Sequence, residues 1–211
     1  MRSHEDPNPG QRLFSQQVLT SVQPYLALLL FGLALGARTV NLVLPAAANF
    51  SPVAALFLCA ALFPVSRLFW LAPVGVLLLG DIWGAWAGGY AFNLNGDYLV
   101  RLLAVGGVFV FGRLFASRLT FRTFPLLAVA GSVLFYLVTN TWSWYTDSFY
   151  SGGIGGWVQA LTVGHPEYPS TLYFFRNTLL SDLAFNLAFA LVYLNALAPA
   201  SKPLQALPAS T

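Results

Sequence analysis

The chain has 211 residues, of which 57% are hydrophobic and only 8% are charged, and its formal net charge is +3. In an average soluble domain about a quarter of the residues are charged. A chain with this low a share of charged residues cannot cover a water-facing surface, and the composition therefore excludes an ordinary soluble domain. The small and scattered positive charge also argues against nucleic-acid binding. A single cysteine, Cys59, excludes an intrachain disulfide and a cysteine-based zinc site, and the sequence predicts no metal and no cofactor.

The apolar residues cluster into six segments, and a membrane-spanning helix needs about 20 residues. These segments cover 24–44, 52–66, 68–87, 98–117, 124–144 and 171–197. We therefore expect an all-α, polytopic membrane protein with a six-helix transmembrane domain at 23–197, between cytoplasmic tails at 1–22 and 198–211. The second segment is short and bounded by Pro52 and Pro64, and we expect it to be tilted or shielded by its neighbours.

Two stretches between the apolar segments have the composition of external loops. The first, AGGYAFNLNGDY at 87–98, contains the glycine, asparagine and aspartate residues that favour turns. The second, at 145–170, belongs to a region dense in aromatic residues. Those rings suit either an ordinary belt at the lipid headgroups or a lid over a ligand, for which SGGIGG at 151–156 supplies hinge-like freedom.

The basic residues predict the orientation of the six spans. One side of the membrane receives seven of the ten, namely Arg2, Arg12, Arg67, Arg113, Arg118, Arg122 and Lys202. The other side receives Arg38, Arg101 and Arg176, each at or inside a helix end. Because basic residues concentrate on the cytoplasmic side, both termini are expected in the cytoplasm, and the chain is a multi-pass protein of the inner (plasma) membrane.

Several polar residues occur where a membrane helix normally avoids them. An ionisable group in hydrocarbon costs at least a few kcal/mol, so Asp81 and Asp182 are candidates for a functional site. Three arginines and these two aspartates converge on one outward-opening cavity in the predicted topology. Thr178, Asp182 and Asn186 form a polar stripe along the last helix. A structural role for both aspartates, paired with arginines or helix-end amides, is an equally strong alternative, and proton coupling is a third.

The sequence contains no pattern that predicts catalysis. It has no G-x-S-x-G, H-E-x-x-H or P-loop motif, and neither aspartate lies in an acid–base dyad. We therefore expect a protein that is not an enzyme. His165, in VGHPEYP, is interpreted as a loop residue or a ligand contact.

An ordered set of motifs connects the chain with a known kind of membrane protein. These are Arg38, NFSPVAAL from Asn49, LLLGD ending at Asp81, FYLVTNTWSW from Phe135, YPSTL from Tyr168 and FFRNTLLSDL from Phe174. The set resembles an uncharacterised family of bacterial six-helix membrane proteins that look related to the S components of energy-coupling-factor vitamin transporters, including the solitary cobalamin-type component. The chain departs from that pattern by having LPAAANF where such families often carry a histidine, and no cysteine in the outer loop at 87–98.

The resemblance implies a membrane-embedded substrate-binding component for uptake of a vitamin or related small molecule, with cobalamin as one candidate. Its partners would be that ligand, the lipid bilayer and a transmembrane coupling subunit with ATPases. The candidate ligand-binding residues are Arg38, Asn49, Asp81, Asn140, Trp144, Tyr168, Arg176, Asn177 and Asp182. The alternatives are a membrane scaffold or assembly module, whose polar stripe is structural, and an enzyme acting on a lipid-like substrate.

Overall fold

The computed structural model describes residues 25, 32–34, 36, 37, 44, 48–63, 67–89 and 91–197. Within these ranges the secondary structure is entirely helical, with no strand, and the all-α class is confirmed. The helices are α1 (Val53–Leu62), α2 (Arg67–Gly88), α3 (Gly96–Phe115), a 3-10 turn (Ala116–Arg118), α4 (Thr123–Thr146), α5 (Gly153–Leu161) and α6 (Thr171–Leu197).

The short helix α1 lies at the centre of the molecule. All ten of its residues are buried, as expected of a helix that is apolar on every side. It packs against α2, α3, α4 and α6. At 1.5 Å per residue it is only about 15 Å long, roughly half the thickness of a bilayer's hydrocarbon core. The described part of the predicted segment, 52–63, is therefore shielded by its neighbours.

Ionisable side chains from other helices form hydrogen bonds with both ends of α1. At its start the main-chain N–H of Ala55 donates to Asp182 Oδ1 of α6 over 3.1 Å. At its end Arg113 Nη1 of α3 donates to the carbonyl of Ala61 over 3.3 Å. A helix leaves its first N–H and last C=O groups without internal partners, and its dipole favours an anion at the start and a cation at the end. The two contacts give one such N–H group and one such C=O group a partner.

Close packing surrounds the end of α1 that Arg113 contacts. A Cβ atom on Gly112 of α3 would lie 2.7 Å from the Ala61 Cβ, so only glycine allows α3 to approach this closely. Beyond the helix, the ring of Phe63 packs against Phe124 and Phe189, with centroids 5.8 and 5.2 Å away. This end of the bundle is part of the hydrophobic core, which extends along α1.

Two of the described helices are long and apolar enough to cross a membrane, judged by length and composition. They are Gly96–Arg118, with a mean hydropathy of 1.9, and Thr123–Thr146, with 1.6. Only 22% of each apolar window is buried inside the protein. Most of their apolar surface therefore faces outward.

The structure adds one helix that the sequence did not predict. The segment at 145–170, predicted to be an external loop, contains α5, which packs on α4. The glycines of α5 hide it from sequence-based prediction because glycine disfavours helix. Gly156 is nevertheless required there, because any side chain would collide with the carbonyl of Ser151. Of the apolar segment at 24–44, the structure describes a few positions, of which 25, 32–34, 36 and 37 are helical. The predicted tails at 1–22 and 198–211 lie outside the described residues.

Candidate functional site

A cavity of about 650 Å³ opens at the start of α1. Its walls come from the residues that enter α1, the second half of α2, the first turns of α3, the second half of α4, the segment before α6 and the first turns of α6. Small-molecule sites usually have volumes of about 300–1,000 Å³ and are lined by apolar and aromatic groups with a few polar ones. The size and the lining both match such a site.

Four of the nine predicted site residues line this cavity, namely Asn49, Asp81, Asn140 and Tyr168. Asn49 has a positive φ of 63°, a conformation that asparagine tolerates better than most residues. Four others, Trp144, Arg176, Asn177 and Asp182, are not part of its lining. Arg38 lies outside the described residues.

An ion pair between α2 and α3 contributes the charges on the cavity wall. Arg101 Nη1 lies 3.1 Å from both carboxylate oxygens of Asp81. The Asp81 side chain is 7% exposed and that of Arg101 is 39% exposed, so the arginine faces the open space. Sequence reasoning placed Arg101 among the three arginines that converge on the cavity but did not name it as a ligand-binding residue. Asp81 lies near the end of α2 and Arg101 near the start of the antiparallel α3, and that placement is the signal that identifies the pair.

The α4 side of the cavity carries three polar residues, within five positions, that bond to their own helix. Thr139 Oγ1 donates to the Phe135 carbonyl over 3.0 Å, and Ser143 Oγ donates to the Thr139 carbonyl over 3.2 Å. Asn140 Nδ2 donates to the carbonyl of Tyr136 over 2.9 Å. Because these hydrogens are used by the backbone, the side-chain oxygens are left as acceptors facing the cavity.

Aromatic rings complete the cavity on the α6 side. The rings of Tyr136 and Phe175 lie 4.4 Å apart, and the Tyr136 hydroxyl donates to the carbonyl of Leu161. The imidazole of His165 packs 4.2 Å from Phe149. Burial, and to a lesser extent the negative charge of Asp147, raises the pKa of the Tyr150 phenol. That phenol therefore stays protonated at neutral pH.

Asp182 belongs to a closed network in the core. It is 1% exposed, and besides Ala55 it accepts a hydrogen bond from Ser132 Oγ of α4 at 2.7 Å. One turn further along α6, Asn186 Oδ1 accepts from Cys59 Sγ at 3.0 Å, and its Nδ2 donates to the Asp182 carbonyl at 2.8 Å. These contacts join α1, α4 and α6. They favour the structural interpretation of Asp182.

The predicted polar stripe of α6 lies along α1. Thr178 Oγ1 donates to the carbonyl of Asn49 over 3.1 Å, just before α1 begins. The next two members, Asp182 and Asn186, contact Ala55 and Cys59 further along α1. The two helices therefore run in the same direction, and the stripe passes from the cavity into the core.

The remaining predicted residues lie beside the cavity. Arg176 is exposed, with its guanidinium 4.4 Å from the centroid of the Tyr173 ring and its Nη2 3.2 Å from Asn177 Oδ1. Asn177 also donates from Nδ2 to the carbonyl of Ala48 over 2.9 Å, tying α6 to the segment that enters α1. Trp144 Nε1 donates to the carbonyl of Ser151 over 3.1 Å and lines a shallower hollow.

Comparison with known families places the chain in one of them. A family of unknown function, DUF6580, matches residues 19–203. The chain belongs to this family. No curated protein and no solved structure matches it significantly.

The matched region of this family member includes every residue of the cavity wall. Sequence reasoning missed Thr139, Ser143 and Thr178 as cavity residues because hydroxyls that bond to their own helix are common in membrane helices. Their spacing could have identified them. Thr139 and Ser143 are four residues apart and therefore lie on one face of α4, and that face borders the space between α4 and α6.

Proposed function

We propose that this protein is a membrane-embedded substrate-binding component for the uptake of a small molecule. The observation that carries the proposal is the cavity of about 650 Å³, which combines an ion pair, hydroxyl and amide acceptors and aromatic rings at the open end of a buried helix. A volume within the usual small-molecule range supports a ligand of ordinary vitamin size rather than a whole corrinoid.

A six-span arrangement in the inner membrane of a bacterium is part of the proposal. It is supported by two described helices that are long and apolar enough to span a bilayer and that turn most of their apolar surface outward. In this arrangement the surrounding helices isolate α1 from lipid, which removes the objection that ten residues cannot cross the hydrocarbon core.

The charge distribution supports an outward-facing cavity. Arg113 of α3, Arg118 in the 3-10 turn and Arg122 before α4 lie at the end of the bundle opposite the cavity. Because basic residues concentrate on the cytoplasmic side, that end faces the cytoplasm and the cavity faces outward. Both termini are then cytoplasmic.

The energy for uptake would come from a partner. The sequence contains no P-loop pattern, so the proposal assigns ATP hydrolysis to ATPases that act through a transmembrane coupling subunit, as the resemblance to S components implies. In that arrangement the chain supplies ligand binding and membrane anchoring.

Mass spectrometry of small molecules that co-purify with the detergent-solubilised protein tests the binding function. A compound should be present with the wild type and absent after Ser143→Trp, which places a large ring at the cavity wall. Thr146→Trp is the matched control, because Thr146 lies on the same helix outside the cavity lining and is also exposed. Loss of the compound in both variants, or no compound in the wild type, contradicts the proposal.

Cysteine labelling in intact cells tests the orientation. An impermeant reagent should label Ser151→Cys, in the external segment, and leave Ser117→Cys, in the 3-10 turn, unlabelled. The native Cys59 is buried and gives no background. Labelling at position 117 without labelling at 151 would invert the topology.

A scaffold is the second candidate function, and one surface favours it. Trp83 and Trp86 of α2 are 43% and 73% exposed, with ring centroids 5.1 Å apart, beside the exposed Leu79. A scaffold would use such a surface for a partner protein, and its cavity would hold no ligand. The co-purification experiment separates the two functions.

A further inference from the structure

The cavity contains a hydrogen-bonding asymmetry that indicates the chemistry of its ligand. The hydroxyls of Thr139 and Ser143 each have one hydrogen, and each donates it to a carbonyl of α4. Across the cavity Thr178 gives its hydrogen to the carbonyls of Asn49 and Phe174, both at 3.1 Å. All three oxygens therefore offer lone pairs to the open space.

Asn140 extends this acceptor surface. One of its two amide hydrogens is used by the carbonyl of Tyr136, and its Oδ1 remains an acceptor beside the second amide hydrogen. A ligand that approaches α4 with a carbonyl or carboxylate would meet oxygen lone pairs. A ligand with N–H or O–H groups would find several acceptors within one helix turn.

The charges of the cavity balance each other. Among the described residues of its lining, Asp81 and Arg101 are the carboxylate and the guanidinium, and they are bonded together at 3.1 Å. The lining also includes His165, whose Nδ1 lies 3.8 Å from Glu167 Oε2. A ligand with a net charge would therefore enter without an unpaired counter-charge, which is costly away from water.

Ring contacts define the shape of the ligand. The lining includes Phe135, Tyr136, Tyr150, Tyr168, Phe174 and Phe175. Aromatic faces pack well against a flat ring and poorly against a bulky branched one. A planar ring system thus fits against these rings while its edge meets the acceptor oxygens of α4 and α6.

We propose that the cavity takes an uncharged, planar ring compound that carries N–H or O–H donors, and that it rejects the carboxylated or phosphorylated counterparts of such compounds. This inference rests on the proposed binding function and adds the class of ligand. The acceptors select the donors, the net neutrality of the Asp81–Arg101 pair disfavours a charged group, and the rings select flatness.

A panel of matched compounds tests the proposal on the purified full-length protein. The pairs are nicotinamide and nicotinate, indole-3-acetamide and indole-3-acetate, and adenosine and AMP. In each retained pair the uncharged member should be held at least about 10-fold more strongly, as measured by mass spectrometry after gel filtration, because about 1.4 kcal/mol separates a paired from an unpaired polar group. Stronger or equal retention of the acidic members overturns the proposal.

Substitutions on α4 assign the selectivity to the acceptor side. Thr139→Val keeps the side-chain shape and removes the oxygen, and it should weaken retention of the uncharged members by about 3- to 10-fold, whereas Thr139→Ser should keep it. Thr146→Val is the control, because Thr146 makes the same bond to the carbonyl four residues earlier, at 2.9 Å, outside the cavity. Equal retention by Thr139→Val and the wild type contradicts the inference.

The co-purified compound distinguishes a failure of the proposed ligand class from a failure of the proposed binding function. If no member of the panel is retained, the compound that co-purifies with the wild type tests the ligand class. An uncharged ring compound with donors supports the inference, and an acid or an aliphatic lipid overturns it. In the latter case the binding function stands. If no compound co-purifies and no panel member is retained, both proposals fall.

Discussion

The two ends of α1 lie in opposite environments although one run of apolar residues connects them. At its start the chain passes Asn49 and Ser51 beside an open cavity, and at its end Ala61 touches the backbone of α3 at Gly112. Both ends depend on a charged side chain from another helix. The packed end has no room for a ligand, whereas at the open end the polar groups are held by internal bonds and leave a space.

The two aspartates of the apolar segments show the same division. Asp81 is paired with an arginine that faces the cavity, and Asp182 is enclosed and bonded to the start of α1. The sequence left both roles open for both residues. The comparison teaches that the partner, rather than the residue type or its depth in an apolar segment, decides whether a carboxylate serves the site or the fold.

The largest expected effect is at Asp182. Asp182→Leu leaves the Ala55 N–H without a partner at a buried helix start, which costs about 2–4 kcal/mol. Asp182→Asn keeps an acceptor oxygen and should melt at a clearly higher temperature than the leucine variant. Thermal unfolding in detergent gives the answer. If the two variants melt together, the carboxylate does not hold α1, and the contrast with Asp81 is lost.

The packed end of α1 is expected to be destabilised by the addition of a single methyl group. Gly112→Ala places a methyl group 2.7 Å from Ala61 Cβ and 3.2 Å from Leu58 Cδ1, and overpacking of this kind costs about 1–3 kcal/mol. Gly107→Ala, on the same helix, meets nothing within 4 Å and should be neutral or stabilising by up to about 1 kcal/mol. Melting of the two variants side by side is the measurement. A stable Gly112→Ala protein would show that α1 and α3 can move apart at this end.

At the cavity end, substitutions of Asp81 and Arg101 should have non-additive effects on stability. Asp81→Asn or Arg101→Gln alone leaves a charge without its partner, whereas the double variant removes both. Because Arg101 is partly exposed, the coupling free energy should be modest, about 1 kcal/mol, in a double-mutant cycle of melting. Additive effects of the two substitutions would mean that the pair contributes nothing to the cavity wall.

Much of this organisation is predictable from the sequence. Five described helices coincide with predicted apolar segments, the shielding of the short segment between Pro52 and Pro64 follows from its length, and Asp81, Asn49 and Asn140 line the cavity as expected. Polar residues in apolar segments are informative because hydrocarbon penalises them. The six-span membrane arrangement stays a prediction.

The parts that the sequence could not supply concern helix rotation and partners between helices. Helix α5 is disguised by glycines that tertiary packing requires, as at Gly156. The Asp81–Arg101 pair depends on how α2 and α3 face each other. Helix periodicity could have predicted the position of Arg176. Successive residues of a helix turn by about 100°, so Arg176 lies about 200° from Thr178 and faces away from the polar stripe of α6.

That rotation leads to the smallest expected effect, at Arg176. Its guanidinium lies over the Tyr173 ring and beside Asn177 on an exposed surface, outside the cavity lining. Arg176→Ala should change the free energy of unfolding by no more than about 0.5 kcal/mol, as is usual for a surface substitution, and leave ligand retention unchanged. Arg101→Ala is the matched comparison, since it removes the arginine that lines the cavity, and it should alter retention. If retention falls after Arg176→Ala and survives Arg101→Ala, then the binding surface lies on the outer face of α6, and the cavity at the start of α1 is not the site.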